Sequence, residues 1–324
     1  MKTLLCKTFG PVDNLVLEEV ERPPLHAGEV RVAVRAAGLN FPDGLVVQGL
    51  YQIRPHLPFA PGSEFAGVVL EVGAGVNGFA PGDRVFGLTS FGAFAEQVVA
   101  PAWRLNRMHD DIGFDSAAIL SMAYGAAMYA LFDRGGLQTG EAVVILGATG
   151  GVGLAAVELA AIAGARVLAV DGDDERLAHA RARGAEAVFN YRTGALKTAV
   201  AAFTEDKGAA LILDPVGGTL GEEAVRSLGW KGRLLVFGFA SGTIPRIETN
   251  RLMLKGASLV GVFWGESQRR SDNNDASNFD RLQNWYVEGR IQPHIGARYP
   301  LDRGAEAIQA LLDGRIAGKG VILV

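Results

Sequence analysis

The sequence predicts an α/β protein in which a β-rich domain is followed by a doubly wound, mostly parallel sheet. Three observations predict it. Up to about Asp115 the chain runs in short alternating or β-branched stretches, such as Val30-Arg31-Val32-Ala33-Val34. Turn signals at Pro23-Pro24, Gly49, Pro61-Gly62 and Ala80-Pro81-Gly82-Asp83 cut these too often for long helices. After Gly140, compact apolar strands alternate regularly with helical stretches, the pattern of a sheet covered on both faces. Finally, Gly147-Ala148-Thr149-Gly150-Gly151-Val152-Gly153 lies between the first of those strands and the helix that follows it.

Composition narrows the function. The 324 residues suffice for about two domains. Lys+Arg 31 against Asp+Glu 35 leaves a net charge of −4, which lacks the basic excess that nucleic acid or an anionic membrane surface would require. Cys6 is the only cysteine, so neither an internal disulfide nor a cysteine-rich metal site can form, and a reducing cytoplasm is expected. Lys7 interrupts the N-terminal apolar residues before a signal-peptide core of about 7–15 residues could develop. The most lipid-like stretch, Ala117 to Phe132, is shorter than the roughly 20 residues a membrane span needs and reads as a buried helix.

In the second half, strands are expected at Ala142–Leu146, Arg166–Val170, Ala187–Tyr191, Leu211–Asp214, Arg233–Phe237 and Ser258–Phe263. Helices are expected at Val152–Ala163, Asp174–Arg183, Ala195–Phe203, Leu220–Leu228 and Asn250–Leu254. The polar stretch Gly265 to Asn278 reads as an exposed loop. The tail predicts a helix near Phe279–Glu288, a strand at Ala297–Pro300, a helix at Arg303–Leu312 and a last strand at Val321–Val324.

A glycine loop between strand and helix lets the backbone turn tightly and approach a pyrophosphate, while the helix N-terminus offers unpaired N–H groups and partial positive charge. A dinucleotide is the expected ligand, with Gly150, Gly151 and Val152 at the phosphates. Asp171 ends the second strand about 20 residues further on, where a carboxylate accepts bonds from ribose hydroxyls and repels a 2′-phosphate. Arg176 is the only nearby cation in sequence, so NADH is favoured over NADPH. Asp173 and Asp174 read as helix-capping residues.

These motifs, together with Ala37-Gly38-Leu39-Asn40-Phe41-Pro42-Asp43, Pro61-Gly62-Ser63-Glu64-Phe65-Ala66-Gly67, Pro81-Gly82-Asp83-Arg84-Val85, Asp214-Pro215-Val216-Gly217-Gly218 and Gly261-Val262-Phe263-Trp264-Gly265, make the chain resemble the medium-chain dehydrogenase/reductase superfamily. The closest likeness is to its zinc-independent quinone oxidoreductase branch. The resemblance implies a GroES-like catalytic domain over 1–118, completed by 266–324, and a Rossmann domain over 119–265. It implies NAD(P)H as cofactor, with Arg176 and Tyr191 toward the adenosine end, Val216 among the cofactor-binding residues, and Phe237-Gly238-Phe239 and Phe263-Trp264 flanking the nicotinamide or closing the cleft. Asn40 and Asp43 are implied near the nicotinamide, and Tyr51 as the donor to the acceptor.

Zinc-dependent relatives carry a cysteine where this chain has Asn40 and a histidine where it has Ser63. The histidines present, His26, His56, His109, His179 and His294, show no metal spacing, so no zinc is expected. The acceptor must then be electrophilic already: a quinone, or alternatively an enone, enal or enoyl-thioester. Arg54, Arg269 and Arg270 are candidate partners for a thioester carrier's phosphates. Ala126 and Leu45 replace polar residues of relatives, so the substrate is expected to be small and apolar. A dinucleotide-binding redox sensor without turnover is the reading from another class. The apolar run Ala257–Phe263 is expected to be a sheet edge that pairs in a homodimer.

Overall fold

The computed structural model describes residues 1–270 and 275–324. The chain forms two compact units, Met1–Met122 with Phe279–Gly289 and Pro293–Val324, and Ala123–Asn278 with Arg290–Gln292. The sequence reading returned the chain to the first domain at 266; the compact unit takes it back at Phe279. Mixed α/β architecture, with a β-rich GroES-like unit and a parallel-sheet Rossmann-type unit, matches the predicted class.

In chain order the strands are β1 (Lys2–Leu5), β2 (Val16–Glu19) and β3 (Glu29–Gly38), followed by helix α1 (Phe41–Val47). Strands β4 (Glu64–Val72), β5 (Arg84–Leu88), β6 (Gln97–Pro101) and β7 (Leu105–Arg107) follow. Next come β8 (Ala142–Leu146), α2 (Gly151–Ile162), β9 (Arg166–Asp171), α3 (Asp174–Ala182), β10 (Ala187–Asn190), α4 (Leu196–Thr204), β11 (Ala209–Asp214) and α5 (Gly218–Ser227). The chain ends with β12 (Leu228–Val236), α6 (Thr249–Lys255), β13 (Ser258–Gly261), α7 (Trp264–Arg270), α8 (Asp275–Val287), β14 (Ile295–Pro300), α9 (Gly304–Leu312) and β15 (Lys319–Leu323).

The first unit's main sheet runs β14-β15-β3-β4-β5-β7, with β6 also paired to β3. Two of its pairings position the candidate site. β3 and β4 are antiparallel with Gly38 opposite Glu64, and β15 lies antiparallel on the other side of β3 with Val321 opposite Gly38. Residues from three distant stretches of sequence therefore meet where β3 runs into α1. Around this point the core is apolar, with Val32, Ala37, Leu39, Phe65 and Ile322 buried.

The second unit holds a six-stranded sheet in the order β10-β9-β8-β11-β12-β13, every neighbouring pair parallel. Its strands read as continuous apolar runs because both faces are covered: Val143 to Leu146 and Leu211 to Leu213 are all buried. The chain order reverses between β8 and β11, and the glycine loop leaves the carboxyl end of β8 at that switch point.

Two expectations need correction. Gly265 to Asn278 is not one exposed loop: α7 and α8 occupy most of it, and residues 271–274 lie outside the described residues. The charges read as loop-like instead support a helix, since Glu266 pairs with Arg269 three residues on and Arg270 four residues on. The helix expected over Ala117–Phe132 is present and buried, but not as a regular α-helix: a short α-turn at Ala126–Met128 stands between wide π-helical turns at Leu120–Gly125 and Tyr129–Arg134. Among the described residues no helix is long and apolar enough to cross a membrane.

Candidate active site

In the first unit, Asn40 ends β3 and stands at the N-cap of α1. The sheet register brings Glu64 and Lys319 to it, and all three are buried. The Lys319 Nζ donates to Asn40 Oδ1 at 2.6 Å, to the Leu39 carbonyl at 2.7 Å and to Glu64 Oε2 at 3.0 Å. The Asn40 Nδ2 in turn donates to Glu64 Oε2 at 3.1 Å and to the Gly38 carbonyl at 3.3 Å. Glu64 Oε1 accepts from the Met122 N–H at 2.6 Å. Two ionic groups this deep persist only because each is answered by a charge and by further hydrogen bonds. Gly38 is required here, since a Cβ would lie 2.4 Å from the Ala118 carbonyl oxygen and 2.6 Å from Glu64 Oε2.

Asp43 joins this cluster from the first turn of α1. Its Oδ2 accepts from the Asn40 N–H at 2.8 Å and its Oδ1 from the Ser63 hydroxyl at 3.3 Å. Burial pushes the carboxyl up to about 7, with the Glu64 charge adding to it; the Asn40 N–H, the Lys319 charge and the Ser63 hydroxyl hold it down. Tyr51 follows α1, its hydroxyl raised above the usual range by burial and by the Asp43 charge. The structure thus links Asn40 and Asp43 directly, and places Tyr51 within the electrostatic reach of Asp43.

In the second unit, Gly150 precedes α2 with no side chain capping the helix, which leaves its first amides without a side-chain acceptor. Gly147 turns through a left-handed φ of 59°, and a Cβ on Gly153 would lie 2.1 Å from the Gly147 carbonyl oxygen. Only glycine lets the loop pass this close to its own helix. Asp171 holds the loop: its Oδ2 accepts from the Thr149 N–H at 3.0 Å and the Thr149 hydroxyl at 2.8 Å, and its Oδ1 from the Gly172 N–H at 2.7 Å. Such a set of uncapped amides and glycine turns fits a pyrophosphate.

The neighbouring turns complete this edge of the sheet. Buried Asp214 accepts from the Val216 and Gly217 N–H groups at 2.9 and 2.8 Å, and Val216 packs on Gly147, 3.0 Å from where its Cβ would be. The N–H groups of Phe237 and Gly238 donate to the Asp214 carbonyl, and Phe239 lies against Gly217. Phe263 is exposed, whereas Trp264 is buried at the start of α7, so its ring is not presented at the surface.

Where the sequence leads one to expect the adenosine end, Asp173 caps α3 through the Arg176 N–H and pairs with the Arg176 side chain at 3.3 Å. Arg176 is not the only nearby cation. A Cβ on Gly172 would lie 2.8 Å from the Tyr191 hydroxyl and 2.9 Å from Arg192 Nε, so both side chains crowd the residue next to Asp171. Sequence reasoning missed Arg192 because it arrives from the end of β10 rather than from the stretch after Asp171. It missed Lys319 for want of any local signal, and it passed over Glu64 and Asp214 although both stand inside quoted motifs.

Comparison with known proteins matches residues 26–110 to the alcohol dehydrogenase GroES-like domain and residues 151–279 to the zinc-binding dehydrogenase family. A rat (Rattus norvegicus) quinone oxidoreductase-like protein 2 is 38% identical over 94% of this chain and 87% of its own length. The chain belongs to the medium-chain dehydrogenase/reductase superfamily, in its quinone oxidoreductase branch. Human (Homo sapiens) quinone oxidoreductase is 32% identical, with 100% of this chain and 98% of that protein covered. The Escherichia coli quinone oxidoreductase structure in complex with NADPH superposes with a TM-score of 0.91 at 25% identity, covering 100% of both chains.

The family name of the second match raises a zinc, which the residues here do not fit. Asn40 and Ser63 supply an amide and a hydroxyl where zinc-dependent relatives have cysteine and histidine. The Lys319 ammonium, 2.6 Å from Asn40 Oδ1 and 3.0 Å from Glu64 Oε2, would repel a divalent cation. Among the described residues no three His, Cys, Asp or Glu side chains gather as a metal-holding group.

Removing one partner of the buried pair leaves the other charge unanswered. Lys319→Met is expected to lower stability by about 3 kcal/mol or more in urea unfolding, and the double variant Lys319→Met with Glu64→Gln to recover part of that loss. Asp43 gives a pH signature. Its folded value of about 7 lies above the ordinary 3.8, so between those values the native state holds a proton that the unfolded chain has lost. Its contribution to stability therefore falls as pH rises from about 4 to 7 and stays low above. The Tm difference between pH 5 and pH 8 should shrink in Asp43→Asn.

Proposed function

We propose that this protein is an NAD(P)H-dependent reductase of quinone-type acceptors that needs no catalytic metal. The observation that carries the reading is the Lys319 ammonium bonded to Asn40 and Glu64, a cluster without cysteine or histidine, in a chain that also has a glycine loop suited to a dinucleotide. The relatives named quinone oxidoreductase, one of them solved with NADPH, support it.

A bound reduced nicotinamide supplies a hydride, which a quinone accepts without a Lewis acid. The protein does the rest. The amides of Gly151 and Val152 and the turns at Gly147 and Val216 bind the pyrophosphate, and Phe239 and Phe263 offer exposed rings at the same edge of the sheet. Reducing a quinone to its hydroquinone takes one proton in addition to the hydride. Tyr51 donates a hydrogen bond to the oxygen on which negative charge develops and passes its proton to it, completing the hydroquinone. Asp43, which titrates near neutral pH, gives its proton to the Tyr51 oxygen in turn and takes one back from solvent. Asn40 acts as a positioning residue, its amide engaged with Lys319 and Glu64.

Leu50 and Ile53, on either side of Tyr51 in sequence, are 70% and 52% exposed, an apolar surface suited to a flat hydrophobic ring. For the thioester alternative, Arg269 and Arg270 are both paired with Glu266, which leaves Arg54 as the candidate for the carrier's phosphates. Buried, unpaired Cys6 suits a reducing cytoplasm. A homodimer formed by pairing of the β13 edges, where Leu259 is partly exposed, completes the reading.

Three measurements check this. With NADPH or NADH and a panel of quinones, enones and enoyl-thioesters, quinones are expected to give the highest kcat/KM; dinucleotide binding without oxidation by any acceptor would replace the reductase with a sensor. Arg192 beside Gly172 offsets the repulsion of Asp171, so NADPH is accepted. Arg192→Ala should cut kcat/KM for NADPH by about tenfold, in the range of one lost charge-assisted hydrogen bond, and leave NADH nearly unchanged. Light scattering should give twice the 34.2 kDa chain mass, and a monomer would remove the edge-pairing proposal.

A further inference from the structure

A second cavity lies in the same unit, at the opposite ends of the strands from the glycine loop. It has a volume of about 290 Å³ and is lined by the residues that lead into β11 and β12, Gly208 and Gly229 among them. Gly208 turns with a φ of 76°, and a Cβ there would lie 2.6 Å from the Gly229 amide nitrogen, so the two segments pass in close backbone contact. The strands between this end and the carboxyl end put it roughly 15–20 Å from the nucleotide loop, at about 3.3 Å per residue.

The charge lining this cavity is one-sided. Lys197 comes from the first turn of α4, Arg226 from the last turn of α5 and Lys255 from the end of α6; Lys207 is the fourth cation and Asp206 the lone carboxylate. Lys207 is answered by Glu205 at 3.0 Å. The Lys255 Nζ donates to the Arg226 carbonyl at 2.7 Å and to that of Leu228, which caps the end of α5 without neutralising the charge. Lys197 and Arg226 have no carboxylate partner among the described residues. Burial and then the charges of Lys197 and Arg251 press the Lys255 ammonium below its ordinary range, so its neighbours add positive charge rather than relieve it. In a chain of net charge −4, this concentration of cations is local.

Beside these cations stands an exposed aromatic ring. Trp230 is 72% exposed, in the irregular first part of β12 where the register with β11 shifts and Lys231 takes a left-handed φ of 59°. One side of its indole rests on Gly256, whose Cβ would sit 3.6 Å from the ring. Leu254, 70% exposed, borders the same cavity. An indole costs free energy when left in water, and here it offers a flat platform next to uncompensated positive charge.

We propose that this cavity is a second anion site, separate from the dinucleotide loop, for a phosphate carried on a flat ring of the nucleoside-monophosphate class. Lys197 and Arg226 meet the phosphate, and the ring lies over Trp230. Neither residue belongs to the machinery assigned to hydride transfer, so the site stands or falls apart from that reading.

The test is calorimetric titration of AMP into protein already saturated with NADPH, with adenosine and inorganic phosphate as parallel probes. One AMP site per chain is expected, at least tenfold tighter than inorganic phosphate, with adenosine weaker still. The double variant Lys197→Gln with Arg226→Gln should weaken AMP at least tenfold and leave NADPH affinity unchanged, which also shows that the variant is folded. Trp230→Ala should weaken AMP but leave inorganic phosphate unaffected. AMP heat that vanishes once NADPH is bound, adenosine binding as tightly as AMP, or a double variant that binds AMP like the parent overturns the proposal.

Discussion

A single ammonium group organises the first unit's site. Lys319 comes from the last strand of the chain, yet its three hydrogen bonds tie the end of β3, the N-cap of α1 and the first residue of β4 into one buried cluster. An isolated charge at 6% exposure would cost several kcal/mol. Glu64, fully buried, meets that cost in part, and each group would be untenable without the other. The orientation of Asn40, and through its N–H the position of Asp43, follow from that pair.

The two units use carboxylates in different ways. Asp171 and Asp214 accept bonds from backbone N–H groups and serve as braces for turns that a ligand must approach closely. Asp43 also braces a helix start. Burial disfavours the charge of Asp43 and of Asp214 alike, and at Asp43 the neighbouring Glu64 charge adds to it, which moves its titration to about 7.

Legibility in the sequence followed the range of the interactions. The central strands β8, β9 and β11 of the parallel sheet were readable because each is a short apolar run, and burial on both faces requires that pattern. The glycine loop was readable because backbone conformation dictates its letters. Lys319 was not, since its partner Asn40 is 279 positions away and only the pairing of β15 with β3 brings them together. Arg192 was missed for a related reason: β10 runs parallel beside β9, so residues following one strand end up next to those following the other. The helix α7 was misread because its Glu and Arg residues look solvated one at a time, and only at helical spacing do they form pairs.

Lys319 also constrains what protein engineering could do with this scaffold. Installing a thiol at position 40 and an imidazole at position 63 would recreate two donors, but the Lys319 ammonium would still stand beside position 40 and Glu64. A transition-ion centre would need that lysine shortened or made neutral as well, and Glu64 would then have to become a ligand or lose its charge.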